Sequence, residues 1–157
     1  MKAVTVKQLK DELKHLSQPE LIELCLRLSK FKKENKELLT YLLFEAHNEE
    51  GYIETVKNEI DEQFNEINTS SYFYIKKSVR KILRNVKKYI RYSLNKETEV
   101  ALIIYFCQKL HDMSPSIKRN RTLTNLYERQ LTLAKKRIST LHEDLQYDFN
   151  LIIEDLA

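Results

Sequence analysis

The chain has 157 residues, enough for one domain with its own core and no need of disulfide staples. Hydrophobic residues make up 42% and charged residues 32%, the balance of a soluble globular protein and not of a disordered one. One glycine (Gly51) and two prolines (Pro19, Pro115) leave almost nothing for tight hairpins, so the chain reads as all-α with short connections. A net charge of +4 is no nucleic-acid signal by itself; only local patches can carry one.

In chain order, the first helix is expected over Val4 to Lys14, with Val6, Leu9, Leu13 and Leu16 on a buried stripe. Ser17-Gln18-Pro19-Glu20 is a helix start: Ser17 caps, Pro19 sits where no amide donor is needed, and Glu20 completes a capping box. The second helix runs to about Lys30 and is expected to bury Leu21, Leu24, Cys25 and Leu28. Leu38 to Phe44 reads as an apolar third helix in the interior. After a break at His47–Gly51, an acidic fourth helix places Ile53, Val56, Ile60, Phe64 and Ile67 at helical spacing.

Thr69-Ser70-Ser71 separates it from a basic fifth helix, Tyr72 to Leu94. A sixth, Glu97 to His111, carries the apolar run Val100–Cys107 and is expected to be the most buried. Ser114-Pro115 reads as the capped start of the next helical stretch. From Leu123 to Leu156 apolar residues recur about every 3.7 residues, the period of a straight helix. That stretch is one long C-terminal helix or two joined near Ser139-Thr140. The expected architecture is a single all-α domain over residues 1–157, a bundle or short superhelix of about six to eight antiparallel helices.

Cys25 and Cys107 do not form the pattern of a secreted disulfide framework, and Met1–Lys14 lacks the apolar core of a signal peptide. The expectation is a cytoplasmic protein without membrane insertion, since the Val100–Cys107 run is too short to cross a bilayer.

The sharpest local feature is a charge reversal. Between Glu45 and Glu66 stand eight acids against one base, Lys57; between Ile67 and Lys96 stand nine bases and no acid. On a helical wheel Ile75, Val79, Ile82, Leu83, Val86, Tyr89 and Ile90 share one face of the fifth helix. Lys76, Lys77, Arg80, Lys81, Arg84, Lys87, Lys88 and Arg91 fill an arc of about 140° on the other. Tyr74 and Tyr92 flank that arc, where rings can stack on bases. Either the acidic helix neutralises this arc or the arc meets an anionic partner, and the number of unpaired bases decides which. A second basic cluster comprises Lys118, Arg119, Arg121, Arg129, Lys135, Lys136 and Arg137.

Catalytic and metal chemistry have little to stand on. His15, His47, His111 and His142 form no His-x-x-x-His or Glu-x-x-His pair. Cys107 and His111 are one turn apart but lack a second pair of ligands. His47-Asn48-Glu49-Glu50 and His142-Glu143-Asp144 are the kind of cluster that helix ends supply routinely. With one glycine there is no phosphate-cradling loop, and no nucleophile motif is present. Nine tyrosines, among them Tyr72, Tyr74, Tyr89, Tyr92 and Tyr105, suit a helical core with wet hydroxyls, or a pocket lined by rings.

Two resemblances accompany these readings. Val4-Thr5-Val6-Lys7-Gln8-Leu9-Lys10-Asp11-Glu12-Leu13 followed by Glu20-Leu21-Ile22-Glu23-Leu24 resembles a SAP-type DNA-binding helix pair, with Ser17-Gln18-Pro19 in place of that family's usual Gly-Lys step. The longer pattern, which adds Tyr41-Leu42-Leu43 and the helix after Gly51, resembles a family of small all-helical bacterial proteins of unknown function. That likeness implies an all-helical fold and carries no site residues. The resulting expectation is a non-enzymatic protein-interaction or scaffolding module, bound to another protein or itself, with no cofactor, metal or small-molecule substrate. The alternative is a nucleic-acid-binding module without sequence readout that uses the eight bases of the fifth helix.

Overall fold

A computed structural model describes residues 1–157, which separate into two compact units, residues 1–44 and residues 45–157. Eight α-helices and no strand make up the chain. The first unit holds α1 (Val6–Leu13), α2 (Gln18–Phe31) and α3 (Lys33–Thr40), the last running on as a π-turn at Tyr41–Glu45. The second holds α4 (Glu49–Asn65), α5 (Tyr72–Ser93), α6 (Lys96–His111), α7 (Arg121–Ile138) and α8 (Glu143–Leu156), with a 3-10 turn at Ile117–Arg119.

In the first unit the caps are sound. Thr5 and Gln8 form a capping box at α1, and Ser17 with Glu20 forms the expected one at α2. Each such cap contributes about 1 kcal/mol to a helix end. Asn35 Nδ2 donates to the Leu28 carbonyl at 2.9 Å and ties α3 to the end of α2. The packing departs from expectation, because Ser29 is the only residue of these three helices that is buried. Val6, Leu9 and Leu13 do not form a buried stripe, and Leu24, Cys25 and Leu28 are exposed. Leu38, Leu42, Leu43 and Phe44, expected inside, are exposed as well. The reason is local: α2 packs with α3, but α1 has no substantial packing with either. Period 3.6 marks an apolar face without supplying a surface to cover it.

The second unit is built around α6. Val100, Leu102, Phe106, Cys107 and Leu110 are fully buried, as expected for a helix that is apolar nearly all round. It is packed by α4, α5, α7 and α8, which also pair as α4 with α5 and α7 with α8. Bonded pairs give the directions. Glu49 meets Thr98 and Asp61 meets Lys109, so α4 and α6 run parallel. Gln63 meets Asn85 and Glu59 meets Tyr89, so α5 lies antiparallel to α4. Arg137 with Glu99, and Tyr127 with the Leu156 carbonyl, make α7 antiparallel to α6 and α8 antiparallel to α7.

Three boundaries refine the sequence reading. The long C-terminal helix is two: Ser139 and Thr140 turn their hydroxyls back onto the Lys136 and Arg137 carbonyls, and His142 caps a new start. Side chains that satisfy backbone groups locally compete with helix continuation, and here the break prevails. The helix after Ser114-Pro115 begins later than expected, at Arg121, with Asn120 as its cap. Helix α5 ends on Leu94, which holds a left-handed conformation (φ 53°) where glycine is the usual residue. At the chain's end, Ile153 and Leu156 are buried in this unit's core, which leaves Leu151 as the exposed large aliphatic of that helix end.

Candidate functional site

The α4–α5 seam shows how the acidic helix meets the basic one. Along α5, Ile75, Val79, Ile82, Leu83 and Val86 are buried, and along α4, Tyr52, Val56 and Ile60 are. Fully burying each aliphatic side chain is worth about 1.5–3 kcal/mol. The polar part of the seam includes three hydrogen bonds: Asn85 Nδ2 donates to Gln63 Oε1 at 3.2 Å, the Tyr89 hydroxyl to Glu59 Oε1 at 2.7 Å, and the Tyr52 hydroxyl to the Tyr89 carbonyl at 2.7 Å.

Other acids of α4 reach α6 or their own helix. Asp61 takes Lys109 Nζ at 3.2 Å and the Tyr105 hydroxyl at 2.6 Å, both from α6. Glu49 accepts from Thr98 Oγ1 at 2.6 Å, and Glu54 pairs with Lys57 of its own helix. Burial, with Asp61 as hydrogen-bond acceptor and negative neighbour, pushes Tyr105 up to about 12, so this hydroxyl stays a donor.

Seven of the eight candidate bases are therefore not neutralised by α4. The eighth, Lys88, sits at the seam with its ammonium 4.9 Å from the Tyr89 ring centre. Lys76, Lys77, Arg80, Lys81, Arg84, Lys87 and Arg91 have no carboxylate within ion-pairing distance. Glu66 shares a surface hollow with Lys81 at the edge of the arc without pairing to it. Like charges three and four residues apart on a helix cost about 0.2–0.5 kcal/mol each, and the arc has several such pairs, Arg80–Arg84 and Lys87–Arg91 among them. An anionic polymer relieves that repulsion.

The two flanking tyrosines part company. Tyr92 is buried against Tyr89, with ring centres 6.0 Å apart, and is not available for stacking. Tyr74 is 46% exposed and makes an edge contact at 5.3 Å with Phe73, itself 67% exposed. Phe73 was not visible as a candidate, because an aromatic residue at a helix start reads as core. Its position relative to Lys76 and Lys77, three and four residues on, is the signal that finds it.

The second basic cluster divides. The Tyr72 hydroxyl holds the Ser116 carbonyl at 2.7 Å, so the exposed Lys118 and Arg119 lie just beyond an anchor at the start of α5. Arg129, Lys135 and Lys136 lie along α7, which has no substantial packing with α5. Arg137 pairs with Glu99.

The first unit offers a different surface. Between α2 and α3 runs a groove of about 220 Å³ lined mainly by Cys25, Leu28, Leu38, Leu39 and Leu42. A neighbouring hollow beside Leu24, Leu28 and Phe31 is bounded by Arg27 and Lys30. Leu28 is 54% exposed, Phe31 77% and Val6 81%.

The remaining titratable clusters are scattered. His111 Nδ1 lies 2.8 Å from Asp112 and its ring 6.2 Å from Tyr127, while His142 caps α8 beside Asp144. No group of three His, Cys, Asp or Glu side chains is placed to hold a metal. Cys107 is buried and its thiol is pushed up to about 12 by loss of water; burial does the same to the Tyr127 hydroxyl. No helix is long and apolar enough to cross a membrane. Comparison with known proteins finds no matching family model, no matching curated protein and no matching solved structure.

Proposed function

We propose that the chain is a protein-interaction module that docks through residues 1–44, with a second copy of the chain as its partner. The observation that carries this reading is a unit of three helices, two of them capped, with no apolar side chain buried within α1, α2 or α3. A unit this small cannot be stabilised by propensity and caps alone, since helices of 8 and 14 residues are marginal in water without packing. Exposed apolar surface of this kind marks contact surfaces.

The two halves of a helix-in-groove contact are both present. Helix α1 presents Val6, Leu9 and Leu13 at spacings of three and four, and α2–α3 present an unfilled leucine groove. Two copies can supply each other with both. Light scattering of the full chain from low to high micromolar concentration tests this: the expected result is a concentration-dependent dimer. Leu28→Glu with Phe31→Glu should leave a monomer whose helix content in residues 45–157 is intact. A wild-type chain that stays monomeric throughout the range overturns self-docking.

A further inference from the structure

We propose that α5 carries a binding site for single-stranded nucleic acid, in which Phe73 and Tyr74 stack on bases while the unpaired cationic side chains of the same helix hold the phosphates. This site lies in residues 45–157 and is independent of the docking surface of residues 1–44. Two separate observations converge on it. One is charge: Lys77, Arg80, Arg84 and Arg91 are unpaired, on a helix whose 22 residues include no acid. The other is the exposed aromatic pair at the head of that stripe.

Phe73 stands three, four, seven and eleven residues before Lys76, Lys77, Arg80 and Arg84, the spacings of one helix face. From Lys77 to Arg91 the stripe extends about 21 Å, enough to follow several phosphates. Apolar rings exposed among bases have no counterpart in a solvated helix face. Duplex nucleic acid hides its base faces by stacking and offers this site phosphates alone. A single strand offers both phosphates and free base faces, which is what the pair of rings beside the basic stripe matches. The opposite face of α5 is committed to the core, so insertion of this helix into a membrane surface has no apolar face left to use.

Fluorescence anisotropy with the full chain tests the site, using a labelled oligothymidylate, a duplex of equal length and anionic lipid vesicles as three probes, each across a salt series. The expected result is preference for the single strand with a log–log salt slope of about −3 to −5, since each neutralised phosphate contributes about −0.7. Phe73→Ala with Tyr74→Ala should weaken single-strand binding at least about fivefold, with duplex binding and the salt slope unchanged. Phe73→Trp should retain affinity. Lys77→Glu with Arg84→Glu should weaken both nucleic-acid probes and flatten the slope.

Both residues of the aromatic pair are exposed and lie in the first turn of α5, so a thermal melt matching wild type separates binding from folding. Equal loss on duplex and single strand, no loss on either, or wild-type binding to vesicles alone overturns the assignment. None of these outcomes bears on dimerisation, which the light-scattering experiment reads separately.

Discussion

Residues 1–44 and residues 45–157 use the same materials in opposite ways. Both are helices with apolar residues at spacings of three and four. In α6 that pattern produces Leu102, Phe106 and Leu110 with no exposed surface, and in α2 it produces Leu24, Leu28 and Phe31 open to solvent. An apolar face is thus a statement of what a helix needs, and only its neighbours decide whether the need is met within the chain. The polar surfaces differ as well. The first unit mixes acids and bases along its helices, whereas α5 exposes one sign alone.

Substitutions can break this comparison, and the largest effect is expected in the core. Phe106→Ala removes a fully buried ring that contacts Phe64 at 5.9 Å between centres. It should cost about 3–5 kcal/mol, read as a large drop in thermal midpoint. Ile22→Ala, on an exposed position of α2, should stay within about 0.5 kcal/mol. Equal losses at the two sites would erase the distinction between the units.

The two cysteines sharpen the contrast at smaller scale. Cys25 is exposed on α2, while Cys107 is buried and its thiol, raised to about 12, keeps its proton at every pH used for labelling. At concentrations low enough to leave the α2–α3 groove open, a thiol reagent at pH 8 should therefore react in one fast and one slow step, the slow one limited by opening of residues 45–157. Denaturant should merge them. Two fast equivalents under native conditions would mean that the α6 core opens freely.

A small effect of opposite sign belongs to the end of α5. Leu94 holds a left-handed conformation and is 86% exposed, so it meets the strain of φ 53° without burial to offset it. Leu94→Gly should stabilise the second unit by about 0.5–1 kcal/mol in a denaturant titration.

Much of the architecture was legible because few residues dictated it. A single glycine and two prolines leave helix as the economical choice, and Ser17-Gln18-Pro19-Glu20 states a helix start almost unaided. The break at Ser139-Thr140 was visible only as an alternative, since hydroxyl-to-carbonyl bonds and one more helical turn differ by little. The end at Leu94 carries no glycine to announce it. The fate of the basic arc was not readable at all. It depended on the rotation of α4 about its axis, which turns Asp61 toward Lys109 and Tyr105 and gives Glu59 to the Tyr89 hydroxyl. Of the flanking rings, Tyr92 was lost to the core and Tyr74 stayed exposed, while Phe73, no candidate in the sequence, stands exposed beside it.

The hydroxyl-to-carboxylate bonds at Tyr89 and Tyr105 have one more consequence. Short hydrogen bonds and buried aliphatics respond little to ionic strength, whereas unpaired surface charges are screened within a Debye length of about 8 Å at physiological salt. Apart from the Asp61–Lys109 ion pair, the contacts described between the acidic helix and its neighbours are neutral-donor hydrogen bonds and apolar packing, so ionic strength acts more on the exposed face of α5 than on the scaffold beneath it. Concentrated salt should therefore screen the cations of that face while leaving the helices in register.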